Sequence, residues 1–153
     1  MPGISYLVDT NILLRLVQPD SPEYASIRQC TDLLWAQGAN LFYTSQNLAE
    51  FWNVCTRPAN RNGFEFTISE TNERAALIEA KLGFAPDNEA THQEWRRIVV
   101  DDGVSGVQVH DARLVAAMRV HGIENLLTLN SQDFRRYRDI VVMTPQDVLL
   151  GKS

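Results

Sequence analysis

The sequence predicts an α/β domain: a mainly parallel sheet with helices on both faces. Three observations carry that expectation. Short apolar runs rich in strand formers recur at residues 4–8, 41–44, 126–129 and 140–143, with the length of buried strands. Stretches with helical spacing of apolar residues separate them, and that alternation favours parallel strands joined by covering helices. Two of the runs also stop abruptly at polar residues, Asp9-Thr10-Asn11 and Asn130-Ser131-Gln132-Asp133.

The first run sets the frame. Ile4-Ser5-Tyr6-Leu7-Val8 delivers Asp9 to the carboxyl end of a strand, the edge of an open α/β sheet where a crevice collects ligands and chemistry. Asp, Thr and Asn are also good helix caps, so Asp9-Thr10-Asn11 has two readings. Other acids arriving at the same edge would separate them.

Residues 24–37 place Ile27, Cys30, Leu33 and Leu34 at helical spacing, and Gly38 is a natural stop. After the strand at 41–44, a helix over residues 46–56 turns Leu48, Phe51, Trp52 and Cys55 inward, with Glu50 at the border of that stripe. Arg57-Pro58 ends it, because the residue before proline avoids helical geometry. Residues 59–66 read as a loop. Ser69 is expected to cap a helix reaching about Leu82, with Glu70 and Glu73 in its first turns. Residues 83–87 read as a connection to a helix over about 90–100 that carries Trp95, Ile98 and Val99.

Gly106-Val107-Gln108-Val109-His110-Asp111 leads into an amphipathic helix, expected to begin at Asp111, with Leu114, Val115 and Met118 as its buried stripe. An acid there also suits the helix dipole. Residues 126–129 then form a strand that breaks at Asn130, repeating the layout at Asp9. Ile140-Val141-Val142-Met143 is the last strand, and Thr144-Pro145 starts a terminal helix, Thr as cap and Pro in its first position.

With 153 residues, 44% of them hydrophobic, the chain is expected to form one domain over residues 1–153 with a sizeable core. No apolar run is long enough to span a bilayer and Met1-Pro2-Gly3 lacks a basic leader, so a soluble, cytoplasmic protein without membrane contact is expected. Cys30 and Cys55 fall on apolar helix positions and are expected as buried thiols. A net charge of -5 argues against a nonspecific nucleic-acid coat. The small clusters Arg96-Arg97 and Arg135-Arg136 with Arg138 leave local phosphate contacts open, although a solvated face is the ordinary reading.

Val8-Asp9-Thr10-Asn11, Leu48-Ala49-Glu50-Phe51, His110-Asp111-Ala112 and Thr128-Leu129-Asn130-Ser131-Gln132-Asp133-Phe134 together resemble the PIN-domain family, in particular its VapC-like toxin branch. The likeness covers essentially the whole chain, with the motifs in the family's order and in suitable contexts. It implies a three-layer α/β/α sandwich whose clustered acids bind Mg²⁺ or Mn²⁺ and hydrolyse RNA. It also implies a type II toxin with a cognate antitoxin, acting as a homodimer.

Carried over by position, the resemblance makes Asp9 the central metal ligand, completed by Glu50 and Asp111. Asn130 stands where many relatives have Asp; its amide oxygen ligates without charge, and Asp133 three residues on is the other candidate. Thr10, Asn11, Thr128 and His110 would position substrate or water. Physical chemistry supports the same chemistry from its own side: converging carboxylates repel one another and form a hard oxygen site for a divalent cation. Hard ligands without cysteine favour Mg²⁺ or Mn²⁺ over zinc.

Several residues have plainer readings. Asp133 is a routine turn former, and His110, lacking a His partner nearby in sequence, is expected as a positioning or core residue, not a ligand. The three tryptophans share spacing with core residues. A haloacid-dehalogenase-like phosphatase would need a second Asp at Asn11, and a receiver domain an acidic pair at the first strand. A non-catalytic PIN-like binding module is the alternative that Asn130 favours, and a stand-alone RNA-processing nuclease would share the whole pattern.

Overall fold

A computed structural model describes residues 3–152; the Met1-Pro2 start lies outside them. Five strands, β1 (Ser5–Val8), β2 (Asn40–Tyr43), β3 (Gly83–Phe84), β4 (Asn125–Leu127) and β5 (Val141–Met143), form one sheet. All pairs are parallel, in the order β3-β2-β1-β4-β5. The helices are α1 (Thr10–Leu16), α2 (Tyr24–Ala36), α3 (Ser45–Thr56), α4 (Ile68–Lys81), α5 (Glu89–Asp101), α6 (Gln108–His121) and α7 (Pro145–Leu149).

Period-two alternation divides the strand side chains between two cores. Tyr6, Val8, Leu41, Tyr43 and Leu127 join the core under α1–α4 and α7, whereas Leu7 and Leu126 join the core under α5 and α6. Register makes these residues neighbours: Leu7 lies beside Phe42 on β2 and Leu126 on β4. The result is the expected three-layer sandwich with its sheet buried on both faces.

The strand order fixes where a site forms. From β1 the chain moves out through β2 to β3, then crosses back to add β4 on the other side of β1. That reversal opens a crevice at the carboxyl ends of β1 and β4, where Asp9 and Thr128 emerge.

Helix starts follow local chemistry, with some shifts from expectation. Thr44, Thr67 and Thr144 each close a capping box, with Asn47, Glu70 and Asp147 respectively. Thr67, not Ser69, therefore caps α4; Glu70 answers its backbone N–H at 3.0 Å, and Ser69 lies inside the helix. α5 is capped by Asn88. α6 starts at Gln108, so Asp111 lies in its first turn and does not begin it. Its five consecutive buried residues, Leu114 to Met118, exceed a single stripe, because α5 covers the side that the sheet does not.

The strand β3 is the addition that sequence patterning missed. It has only two residues, and Gly83 is there for space: a Cβ would stand 2.7 Å from the Phe42 ring. Cys30 and Cys55 are buried free thiols, as expected.

Candidate functional site

Asp9 leaves β1 in extended geometry (φ -68°, ψ 155°) and caps α1. Both of its oxygens are held: Oδ1 accepts from the Thr10 backbone N–H at 2.8 Å, and Oδ2 from the Thr128 hydroxyl at 2.8 Å. Only 9% of the residue is exposed. Thr128 follows β4, and its hydroxyl also accepts from the Asn130 N–H at 3.0 Å and from Asn11 Nδ2 at 3.4 Å. Asn11 Oδ1 in turn accepts from the Leu129 N–H at 3.2 Å. The start of α1 and the exit of β4 are thereby stitched together around one carboxylate.

Glu50 arrives from α3 on a second tether. Its Oε2 accepts from the Thr10 hydroxyl at 2.8 Å, and that hydroxyl accepts from Asn47 Nδ2 at 3.2 Å. Asn47 is fully buried; its Oδ1 also takes the Thr44 N–H and hydroxyl, each at 2.9 Å. Gln46 Nε2 completes the frame, donating to Glu50 Oε1 at 3.1 Å and to the His110 carbonyl at 2.9 Å. One amide therefore joins α3, which carries Glu50, to α6, which carries Asp111.

Asn47 and Gln46 were not foreseen. A signal existed for Asn47, since Thr44-x-x-Asn47 has the spacing of a capping box; nothing in the sequence marks Gln46. Thr10, Asn11 and Thr128 direct their hydrogen bonds to protein groups around the acids. His110 is exposed, not part of the core, and meets the site through its backbone carbonyl. Asn130 is exposed and contributes its backbone N–H, while Asp133 is exposed on the 3-10 turn Ser131–Phe134.

The acids feel one another. Burial pushes the Asp9 carboxyl above the usual carboxylate range against the hydrogen bonds from Thr128 and Thr10, and the charges of Glu50 and Asp133 add to the rise. Asp111 is pushed up to about 6, first by burial and then by Asp9, Asp133 and Glu50, with His110 opposing. None of the four acids has an ion-pair partner among the described residues.

An acid whose pKa rises on folding holds more protons in the folded than in the unfolded state, so stability falls as pH rises through the window between the two values. In EDTA the thermal midpoint is therefore expected to fall between about pH 4 and about pH 6. Asp111→Asn should flatten that fall, Asp9 leaving a residual slope of the same sign, and should match or exceed the unsubstituted protein at pH 7. A marked loss of midpoint in Asp111→Asn would assign this acid to helix-dipole compensation instead.

The donor set suits a hard divalent cation, being carboxylate and amide oxygens without thiolate. The Gln46 Oε1 beside Glu50 is buried without a hydrogen-bond partner, an acceptor of the kind that a hydrated cation's water satisfies. The cluster is not a closed cage: among the described residues no three His, Cys, Asp or Glu side chains meet closely enough to hold an ion together. Mg²⁺ keeps several waters and is commonly bound through one or two carboxylates, so an open acidic crevice fits it.

A parallel sheet with this order of strands, its acids gathered where the chain reverses direction, defines a doubly wound α/β domain with a carboxyl-edge site. The chain belongs to the PIN-domain family, whose model matches residues 6–140. Among solved structures, VapBC2 from Rickettsia felis bound to a DNA fragment from its promoter superposes with a TM-score of 0.68 at 15% identity, covering 92% of this chain and 98% of that one. VapBC-1 from nontypeable Haemophilus influenzae gives 0.66 at 15% identity, covering 94% and 99%. VapC20 from Mycobacterium tuberculosis, described as a Sarcin-Ricin loop cleaving toxin, gives 0.61 at 18% identity, covering 86% and 95%. At these identities the likeness is one of fold. No curated protein matches the chain in sequence.

Proposed function

We propose that this chain is a Mg²⁺- or Mn²⁺-dependent endoribonuclease that hydrolyses RNA phosphodiester bonds as the toxin of a type II toxin–antitoxin pair. The observation that carries the reading is the shared electrostatic neighbourhood of Asp9, Glu50, Asp111 and Asp133, brought from four separate segments. Such a grouping without cationic partners is costly in a protein that has no cation to place there.

In this reading Asp9, Glu50 and Asp111 would hold a hydrated ion, in part through its waters, with Asn130 and Asp133 as the further candidates. The ion, when bound, supplies an activated water and neutralises charge at phosphorus. The remaining work belongs to the chain. Thr10 and Thr128 fix the Glu50 and Asp9 carboxylates, and hydroxyls that orient ligands in this way tune both affinity and geometry. Asn11 holds the β4 exit against α1, and Gln46 sets the separation of α3 from α6.

The deciding experiment is cleavage of a mixed RNA pool with Mg²⁺ or Mn²⁺, against EDTA and Asp9→Asn controls. Metal-dependent cleavage lost in the variant supports the reading; a folded protein that neither cleaves nor binds metal removes it in favour of a binding module. Mn²⁺ at ten times its Kd should stabilise the protein by about 1.4 kcal/mol through mass action, read as a rise in thermal midpoint that Asp9→Asn abolishes.

The toxin role draws on VapBC complexes among the structural neighbours and on the toxin VapC20. It predicts growth arrest on induced expression, relieved by the protein encoded beside it. No helix among the described residues is long and apolar enough to cross a membrane, and the proposed site of action is the cytoplasm. The homodimer is checked by light scattering.

A further inference from the structure

We propose that the groove between α5 and α6 seats one unpaired nucleobase of the RNA, stacked against Trp95 and His92, with Arg113 holding the adjoining phosphate. This inference rests on the ribonuclease reading and names how the substrate is held beside the acids.

Two pairs of side chains face the groove, each at i,i+3 spacing and so on one side of its helix. His92 and Trp95 come from α5, and His110 and Arg113 from α6. The groove measures about 450 Å³, within the roughly 300–1,000 Å³ of small-ligand sites. Its floor is fixed, because Trp95 Nε1 donates to the Val109 carbonyl at 2.9 Å and holds the indole against the first turn of α6. The His92 ring lies 6.0 Å from the indole, centroid to centroid, at 40°. These rings form an open aromatic platform with one rigid member and one exposed, adjustable member.

The groove carries one guanidinium, paired with the Asp87 carboxylate that also lines it. Arg113 meets Asp87 through one nitrogen at 2.8 Å, and a guanidinium has five N–H donors. It stays half-exposed, with 49% of its side chain accessible. Aromatic faces with an adjacent cation are how proteins hold unpaired bases, and stacking serves any base.

The place suits a nucleotide. His110 lines the groove, Asp111 follows it in sequence, and the His110 carbonyl is tied through Gln46 to Glu50. Successive helical residues diverge by about 100°, so α6 presents His110 and Arg113 to the groove while Asp111 turns toward the acids. A strand of RNA lying across the acidic crevice would set a neighbouring nucleotide on the platform.

The test is fluorescence anisotropy of a labelled random single-stranded 12-mer RNA, binding the full chain in EDTA so that nothing is cleaved. His92→Ala and Arg113→Ala, both at exposed positions, should each weaken binding by about tenfold, as loss of a stacked base or its phosphate contact does. Arg113→Lys should recover part of the loss. Arg28→Ala, which removes a cation from the opposite helix layer, should bind like the unsubstituted protein. A duplex RNA should bind more weakly than the single strand.

Unchanged affinity in both groove variants would overturn the proposal. So would a loss confined to Arg113→Ala with duplex and single strand bound alike, the signature of a phosphate contact without a base. RNA binding that depends on the groove in a protein that never cleaves would keep this inference and remove the nuclease reading. Metal-dependent cleavage with groove variants unaffected would do the reverse.

Discussion

Asp9→Asn is expected to lower RNA cleavage by at least about a thousandfold while leaving the protein folded. On the proposed reading, removing one charge from the centre of a cation site forfeits several kcal/mol of transition-state stabilisation, and about 4 kcal/mol corresponds to three orders of magnitude in rate. The local structure accommodates the change. An amide oxygen still accepts from the Thr10 N–H; the amide nitrogen faces the Thr128 hydroxyl, which already accepts from the Asn130 N–H and Asn11 Nδ2 and so loses the acceptor that Asp9 Oδ2 gave it. The cap of α1 therefore survives. Burial already disfavours the Asp9 charge, and its removal offsets the lost Thr128 hydrogen bond, worth about 0.5–1.5 kcal/mol, so the thermal midpoint in EDTA should stay close to that of the unsubstituted protein. Unfolding of the variant would show that Asp9 is a cap before anything else, and undiminished cleavage would move the chemistry elsewhere.

Asn47→Ala is expected to produce the largest loss of stability, about 2–4 kcal/mol. Asn47 sits where α3 meets α1, fully buried, and serves three groups with one amide. Its loss takes away the half of the capping box that serves the Thr44 N–H, at about 1–3 kcal/mol for an unsatisfied buried group, and strips the Thr44 hydroxyl of its acceptor as well. For a domain of this size that lowers the midpoint by roughly 5–12 °C. The Thr10 hydroxyl also loses the donor that orients it toward Glu50, so cleavage should fall by about 10–100-fold, as when an outer hydrogen bond to a ligand is removed. Asn53→Ala on the exposed side of the same helix should stay within about 0.5 kcal/mol. Equal effects of the two substitutions would refute this account.

Much of the fold was legible because apolar periodicity and capping residues are local signals. Strand and helix alternation, the Asp9 strand end and the Thr144-Pro145 helix start all follow from neighbouring residues. What could not be read depends on contacts distant in sequence. β3 is two residues long and forms because Gly83 slips beneath the Phe42 ring, a steric fit with no periodic trace. The extent of burial on α6 depends on α5 packing over it. The Thr67 cap is a different case: its pairing with Glu70 is local, and sequence spacing would have revealed it.

For the candidate site, Asp9, Asp111 and Asp133 draw notice where strands, helices and turns begin or end, whereas Glu50, in the middle of α3, and Thr128 were singled out through the resemblance. The roles of Asn47 and Gln46 could not be read, because each bridges elements more than thirty residues apart. His110 illustrates the converse: residue type drew notice to an imidazole, whereas the site uses its backbone carbonyl.

The pairing of β1 with β4 sets a schedule for synthesis. Tyr6 lies beside Asn125 and Val8 beside Leu127, so the central strand waits for more than a hundred further residues before its second neighbour exists. A nascent chain emerging from the ribosome can pair β1 with β2 early, but it carries Asp9 without the Thr128 hydroxyl until β4 has left the exit tunnel. Closing so long a loop is slow. Translation that stops short of residue 128 leaves the acidic crevice with only one wall, and the complete arrangement appears only in chains that are nearly finished.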